Sequence, residues 1–479
     1  MKAIFKNQMV KATSWSLVQK AGSMVISFFT NMVLARLISP ADFGSVGMIL
    51  TFMSVADLLV DAGLGQSLVQ KQNLEQKDIS TVFTSNLLLS ILFFAIIFVI
   101  APSVADYVGI PNLAIYLRVE AVTVIIRALY VVHNALLNKQ LNFKSLAKIS
   151  IGAAFVSSVI AIVLALFDFG VWSLIVKNIS MHIAFCLFFV ATIRPHVSLH
   201  IDKQSFKQLF GFGWFVSLSS LIDVLYSNIA SFVIGKTYSV EQLGYYTQAN
   251  SLKQIPVYSL SMVISQVLFP TLAKEQQDVE RVHAHVQRVV VMSTAVIFPL
   301  MICLVVIAEP LIVFLYSAKW LPSVVYFRIL CVAGLVNILI HINRSVLMAL
   351  GKSKLLFAVQ VTAILIGFIF IAVAIRYDAL IFVGSLAAYS FVNWTLVAIA
   401  TGRIIGYRLW HQIRDIGTSL LLALIAGVAS YMLMRVMNIE SSILSLIVNT
   451  AVFATAYITM HLLFRTSVYR ILKNSLKKS

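Results

Sequence analysis

The sequence predicts an all-α, polytopic membrane protein with about fourteen transmembrane helices, and three observations predict it. The 479 residues are 60% hydrophobic and only 11% charged, with a mean hydropathy of +0.95. Soluble chains carry about 25% charged residues. Apolar runs of about 20 residues, the length that crosses a hydrocarbon core of about 30 Å, recur from end to end. Finally, basic residues alternate between the gaps: 24 of the 36 Lys and Arg fall in one set of alternate loops and five (Arg36, Lys236, Lys319, Arg376, Arg435) in the other. Cytoplasmic loops are the ones enriched in Lys and Arg, so both termini are expected in the cytoplasm.

The expected spans are 12–37, 41–66, 78–104, 113–138, 146–167, 170–193, 206–235, 242–272, 284–308, 322–350, 354–377, 379–403, 411–435 and 441–464. The longer ones must tilt, kink or protrude, and Pro256 and Pro299 are expected kinks. The first run follows Lys2, Lys6 and Lys11 and is too long for a signal-peptide core, so it is read as a retained helix.

Several function classes are disfavoured. The net charge of +18 is spread over short gaps rather than gathered in one basic domain, which argues against nucleic-acid binding. Cys186, Cys303 and Cys331 lie inside apolar runs without a pairing pattern and read as packing residues. No GxxxxGK[ST] or HExxH occurs, and no cofactor or metal is expected. The longest loops, 194–205 and 273–283, are too short to form a domain, which disfavours a membrane enzyme acting through a large outer loop. His283 and His285 fall in a cytoplasmic loop and are expected to be solvated.

An internal repeat is visible. Residues 35–44 align with 235–244, placing Arg36 on Lys236, Ser39 on Ser239 and Gly44 on Gly244. The offset spans six helices, an even number, so the two copies run parallel. Such lobes pack about an axis along the membrane normal with a substrate path between them.

Seven basic residues fall inside spans: Lys20, Arg118, Arg127, Lys177, Lys253, Arg328 and Arg344, with four acids, Asp57, Asp61, Glu120 and Asp223. Ionisable groups at membrane depth cost several kcal/mol unless they meet a partner or a cavity. Lys20 lies on a polar stripe with Ser16, Ser23, Ser27 and Asn31; small-residue packing explains the serines but not the lysine. Glu120 and Arg127 share a helix face. Tyr246, Asn250 and Lys253 share another, and Asn337, His341 and Arg344 a third. Arg118, Arg328, Lys177 and Arg344 lie near span ends, where snorkelling is the rival reading. Asp57 and Asp61, one turn apart, can hold a proton or a cation, or neutralise a basic neighbour; Asp223 and Glu120 are further ion-coupling candidates. The basic excess suits an anionic substrate with phosphate.

The residues also resemble a known family. Leu34-Ala35-Arg36-Leu37-Ile38-Ser39-Pro40-Ala41-Asp42-Phe43-Gly44 is similar to the "LARLLSPEDFG" signature of polysaccharide flippases, and Asp61-Ala62-Gly63-Leu64-Gly65-Gln66-Ser67-Leu68-Val69-Gln70 to the element that follows it. Ile234-Gly235-Lys236, Leu243-Gly244-Tyr245-Tyr246, Pro256 and Phe269-Pro270 follow in the family's order. The chain thus resembles the polysaccharide transporter (Wzx-type flippase) branch of the multidrug/oligosaccharidyl-lipid/polysaccharide exporter superfamily. One position departs: where many relatives carry an Asp-Asn pair, this chain has Ser227-Asn228, and the acid Asp223 lies upstream.

The resemblance implies two six-helix lobes, 1–200 and 201–404, with two added helices and a basic tail over 405–479. It implies a flippase of the bacterial inner membrane moving polyprenyl-pyrophosphate-linked oligosaccharide units by alternating access, for O-antigen, capsule or exopolysaccharide. Lys20, Arg127, Lys253, Arg344, Tyr246 and Asn250 are the expected substrate contacts. Proton or sodium coupling and other polysaccharide-assembly membrane proteins are the expected partners. An ion-coupled multidrug antiporter is the alternative, and it would be expected to show an acidic interior.

Overall fold

The computed structural model describes residues 2–61, 63–193, 198–437, 442–464, 466 and 468–470. These form seventeen α-helices, and no strand occurs among the described residues. The chain divides into two compact units, Met1–Gly244 and Tyr245–Ser479.

The first unit contains α1 (Lys2–Leu37), α2 (Pro40–Asp61), α3 (Leu64–Gln70), α4 (Gln76–Val108), α5 (Leu113–Glu120), α6 (Val122–Lys139), α7 (Phe143–Leu166), α8 (Val171–Thr192) and α9 (Lys203–Val233). A π-helical turn, Ile234–Tyr238, leads from α9 to the first residues of α10 (Val240–Glu275). Helix α1 packs along α7, α7 along α8, and α6 between α4 and α8. The second unit contains the rest of α10, then α11 (Val279–Val306), α12 (Ala308–Tyr316), α13 (Ser323–Ala349), α14 (Ser353–Ala374), α15 (Ala379–Ile405), α16 (Leu409–Met437) and α17 (Ser442–Leu463). Here α13 packs on α15 and α11, and α16 on α11 and α17.

Eleven of these helices are long and apolar enough to cross a membrane. The remaining expected spans fall as follows: 113–138 is built from α5 and α6, 206–235 from α9 and the start of the π-helical turn, and 242–272 lies in the long α10. Helices α10 and α11 run on through Pro256 and Pro299. Large apolar side chains such as Val99 and Phe167 are more than 70% exposed, and Leu365 and Val428 are also exposed. Patches of this kind need lipid rather than water as solvent. The protein is a multi-pass membrane protein.

Polar groups turn inward instead. The Asn343 Nδ2 donates to Gln412 Oε1 at 3.2 Å and Gln412 Nε2 donates to Asn343 Oδ1 at 3.3 Å, both residues fully buried. This reciprocal amide pair ties α13 to α16; between helices in lipid such pairs contribute about 1 kcal/mol. The three cysteines are free, two of them buried.

Helix ends follow local chemistry. Asp202, Asp278 and Asp378 accept from the amides of Ser205, Arg281 and Ile381 at the starts of α9, α11 and α15, which satisfies one otherwise unpaired N–H each. The Ser205 amide holds the Asp202 carboxyl below the usual carboxylate range. Gly63 adopts φ 68° between α2 and α3, so the run expected as one span, 41–66, is broken there and re-aimed.

The repeat has a physical meaning. Ser39 Oγ accepts from the Asp42 amide at 3.2 Å, and Ser239 Oγ from the Gln242 amide at 3.1 Å; each serine caps its helix. The two copies also meet. A Cβ on Gly44 would sit 2.8 Å from the Val240 carbonyl carbon and 3.0 Å from the Gly244 nitrogen. A Cβ on Gly244 would sit 2.8 Å from the Pro40 carbonyl carbon and 3.2 Å from the Gly44 nitrogen. The start of α2 and the start of α10 therefore cross backbone to backbone, each glycine in the space that the other copy leaves.

Candidate functional site

The first unit places a charged cluster beside a cavity. Arg127, on α6, pairs with Asp57 on α2 through Nη1–Oδ2 at 2.8 Å, the two side chains 35% and 27% exposed. Asp61, one turn on from Asp57, lies where α2 gives way to the Gly63 turn. The two acids expected to neutralise a basic neighbour or to hold an ion are thus split: Asp57 is engaged by Arg127, and Asp61 lines the cavity with Arg127.

Glu120 closes α5 and is 3% exposed. Only Ala121, itself in helical conformation, separates it from α6 and Arg127, and Asp57, the partner of Arg127, is an electrostatic neighbour of Glu120 as well. Asn178 of α8 is the hydrogen-bonding neighbour of Glu120, and its Oε2 is buried with no hydrogen-bond partner among the described residues. A buried polar atom left without a partner costs about 1–3 kcal/mol and marks a place where a proton or a small cation can be held.

The cavity has a volume of about 750 Å³. Helix α6 presents Arg127, Tyr130, Asn134 and Asn138 to it, at spacings of three and four residues that keep them on one face. The short α3, swung round by the Gly63 turn, adds Gln66 and Gln70. Gln19 of α1 enters with its Nε2 donating to Ser150 Oγ of α7 at 2.9 Å. An aromatic wall completes it: Tyr130 stacks on Phe189 at 5.4 Å and 7°, with Phe185 at 5.6 Å. The Tyr130 hydroxyl is fixed by His182 Nδ1 at 2.8 Å. At the rim, Lys139 Nζ donates to the carbonyl oxygens of Leu68 and Lys71 at the end of α3, the favourable end for a cation.

Lys20, next to Gln19, is exposed on α1 and is not among the cavity-lining residues. Asp223 is exposed on α9. Neither is among the residues that line the cavity with Arg127.

In the second unit Lys253 of α10 is 4% exposed. Its stem passes Gly334 of α13, where an added Cβ would be in ordinary contact with Lys253 Cδ at 3.7 Å and would crowd Met301 Sδ at 2.8 Å, and Cys331 of α13 is a titratable neighbour. No carboxylate pairs with it among the described residues. Tyr246 on the same helix is buried at 7% and Asn250 is half-buried. Arg344 on α13 is half-buried, with a buried Nε that has no hydrogen-bond partner among the described residues.

A second cavity, of about 490 Å³, lies at the starts of α11 and α16 between His283, Gln287, His411, Arg414, Asp415 and Thr418. Asp415 Oδ2 accepts from Gln287 Nε2 and Tyr407 Oη, each at 2.8 Å. His283 Nδ1 lies 3.0 Å from the Ile405 carbonyl oxygen, and His285 Nε2 lies 3.2 Å from Glu275 Oε2. Both histidines, expected to be solvated, are half-buried and anchored. Among the described residues no cluster of His, Cys, Asp and Glu is arranged to hold a metal.

The amides Gln19, Gln66, Gln70, Asn134 and Asn138 and the aromatic Tyr130 were not singled out from the sequence. The one signal was the i, i+4 spacing of Gln66 with Gln70 and of Asn134 with Asn138, which looks like an ordinary helix surface until the helices are assembled.

The family model described as polysaccharide biosynthesis protein matches residues 33–325. The teichuronic acid biosynthesis protein TuaB of Bacillus subtilis is 25% identical over 353 residues, 73% of each chain. The succinoglycan biosynthesis transport protein ExoT of Rhizobium meliloti is 29% identical over 315 residues, 64% of this chain and 62% of its own. Among solved structures, the lipid II flippase MurJ in its inward closed conformation aligns with a TM-score of 0.72 at 14% identity, covering 94% of this chain and 99% of that one. At that identity the likeness is one of fold.

Proposed function

Because the chain belongs to the polysaccharide biosynthesis protein family, we propose that it is a flippase for polyprenyl-pyrophosphate-linked oligosaccharide units. It would move them from the cytoplasmic to the outer leaflet of a bacterial inner membrane by alternating access between two parallel-related lobes, 1–200 and 201–404, with 405–479 appended. It is a transporter and not an enzyme, and both termini are cytoplasmic in this reading. The relatives named for polysaccharide biosynthesis and transport support it, as does the fold shared with a lipid II flippase.

The observation that carries the chemistry is Lys253. A cation buried to 4% exposure without a paired carboxylate among the described residues costs several kcal/mol unless an anion joins it. A pyrophosphate is such an anion, and ammonium–phosphate hydrogen bonds are among the stronger kinds. Arg344 in the same unit and Lys20 in the other are the further basic groups available to the pyrophosphate, whereas Arg127, expected to join them, is held by Asp57. The small-molecule antiporter is the weaker reading, since the interior cations outnumber the acids and the relatives are named for polysaccharides.

The test is the sidedness of lipid-linked glycan in cells lacking the gene. Undecaprenyl-linked units should accumulate on the cytoplasmic face and clear when the gene is restored. Normal sidedness, in cells shown to have no second flippase, would reject the function.

Energy coupling is assigned to the acids of the first unit, with Glu120 foremost, because its Oε2 is buried without a hydrogen-bond partner among the described residues. In vesicles, Glu120→Gln should remove the dependence of translocation on a proton or sodium gradient, because the amide keeps the shape but can neither release a proton nor neutralise a cation. A variant that still follows the gradient as wild type does would exclude Glu120 and leave Asp61 and Asp223.

A further inference from the structure

We infer that the cavity of the first unit is a saccharide subsite, built for uncharged sugar rings of the transported head group. This rests on the flippase reading and goes beyond it, because it assigns residues and a ligand class to a place with no assigned role.

Chemistry of the wall carries the inference. Five side-chain amides, from α1, α3 and α6, surround the space. Each amide offers both a donor and an acceptor, which is what a ring of vicinal hydroxyls requires, since every hydroxyl also donates and accepts. The geometry leaves capacity for a ligand. Gln19 spends one N–H on Ser150 and keeps its carbonyl. Asn138 Nδ2 donates to the Asn134 backbone oxygen at 2.8 Å and to its side-chain oxygen at 3.0 Å, which leaves the Asn134 amide donors to face outward. Gln66 and Gln70 are exposed and one turn apart.

Part of the lining is aromatic. Tyr130, Phe185 and Phe189 form a packed aromatic group with the tyrosine hydroxyl tied back to His182. Aromatic faces are electron-rich, and one face of a pyranose ring presents C–H bonds with a slight positive charge. A lining that combines amides with aromatic side chains therefore suits a sugar, which has polar edges and apolar faces. The volume of about 750 Å³ lies within the usual range for small-ligand sites.

Charge selects the class. The cationic Arg127 is held by Asp57 at 2.8 Å, and Asp61 adds a carboxylate to the same wall. The positive charge is answered twice within the site, so a pyrophosphate or an acidic sugar would meet repulsion from Asp61 with little net attraction. A neutral ring meets neither. The cavity lies beside Lys71 and Lys139, in the loops expected on the cytoplasmic side, where a lipid-linked unit is loaded.

The test uses the full-length protein in lipid nanodiscs and, as probe, the oligosaccharide released by mild acid from the lipid-linked intermediates of cells that carry the gene. Titration calorimetry should show binding to wild type and about tenfold weaker binding to the double variant Gln66→Ala/Asn134→Ala, the loss expected for one to two hydrogen bonds. Both positions are exposed, so melting temperature should be unchanged; if the pair does not fold, Gln70→Ala alone serves. Among the constituent monosaccharides, an uncharged one should compete. Competition by acidic constituents alone, or wild-type affinity in the folded variant, would overturn the inference. Translocation of the lipid-linked form in vesicles is measured in parallel. Translocation by wild type together with wild-type affinity in the variants rejects the subsite and leaves the flippase. Saccharide binding without translocation rejects the flippase and leaves the subsite.

Discussion

Replacing Lys253 by methionine is expected to lower the translocation of lipid-linked oligosaccharide about a hundredfold or more while leaving the protein folded. The size follows from what is removed. Truncating one partner of a buried, hydrogen-bonded charge pair costs about 2–5 kcal/mol, and in the proposed complex Lys253 is the cation that meets the pyrophosphate. The survival of the fold follows from the free protein, in which no carboxylate is paired with Lys253 among the described residues. Removing the amine strands no counter-charge, and methionine fills the stem's place beside Gly334 with a thioether suited to apolar surroundings. Melting temperature should hold or rise, because a buried charge replaced by an apolar side chain of similar size is often neutral or stabilising. Translocation of a fluorescent lipid-linked oligosaccharide in vesicles, beside a melting curve in detergent, measures both quantities. Wild-type rates in Lys253→Met would remove the residue from the substrate site.

The second large effect falls at the crossing of the repeats. Gly44→Ala and Gly244→Ala should each abolish accumulation of folded protein. The added methyl meets backbone, the Val240 carbonyl in one case and the Pro40 carbonyl in the other, and a backbone at a helix start cannot turn aside as a side chain can. Overpacking costs about 1–3 kcal/mol where the neighbours can yield, and more where they cannot. Gly384→Ala is the control. It lies within α15, and a methyl group there would meet no atom within 4 Å, so alanine should gain about 1 kcal/mol of helix propensity. Size-exclusion profiles and yields of the three variants decide the matter; a well-folded Gly44→Ala would show that the crossing can open without loss.

How far the sequence could be read depended on what kind of information each feature needed. The apolar runs and the repeat were legible because each shows in a short stretch of residues: hydropathy over twenty residues announces a span, and ten aligned residues set Ser39 on Ser239, which the structure then shows capping their helices alike. Lys253 and Glu120 were also legible, since an ionisable residue inside an apolar run stands out on its own. The pairing of Arg127 with Asp57 was not, because it joins α6 to α2 across 70 residues and nothing in either segment names the other. The turn at Gly63 was hidden by a hydropathy that continues through it, and with it the swing that carries Gln66 and Gln70 to the cavity. The amides themselves carry no charge to advertise them. His283 and His285 were misread for a related reason: a short loop looks solvated in sequence, whereas here the Ile405 carbonyl and Glu275 fold back on them.

The crossing at Gly44 and Gly244 also constrains how such a chain can vary. Duplicated segments are ordinarily free to drift apart, each copy adjusting to its own surroundings. Here each copy is the other's surroundings, and the atoms in the way are main chain, which no codon can make smaller. Two sites 200 residues apart in sequence therefore behave as one: a side chain gained at either cannot be offset by trimming its neighbour, so both remain glycine or the contact itself is lost.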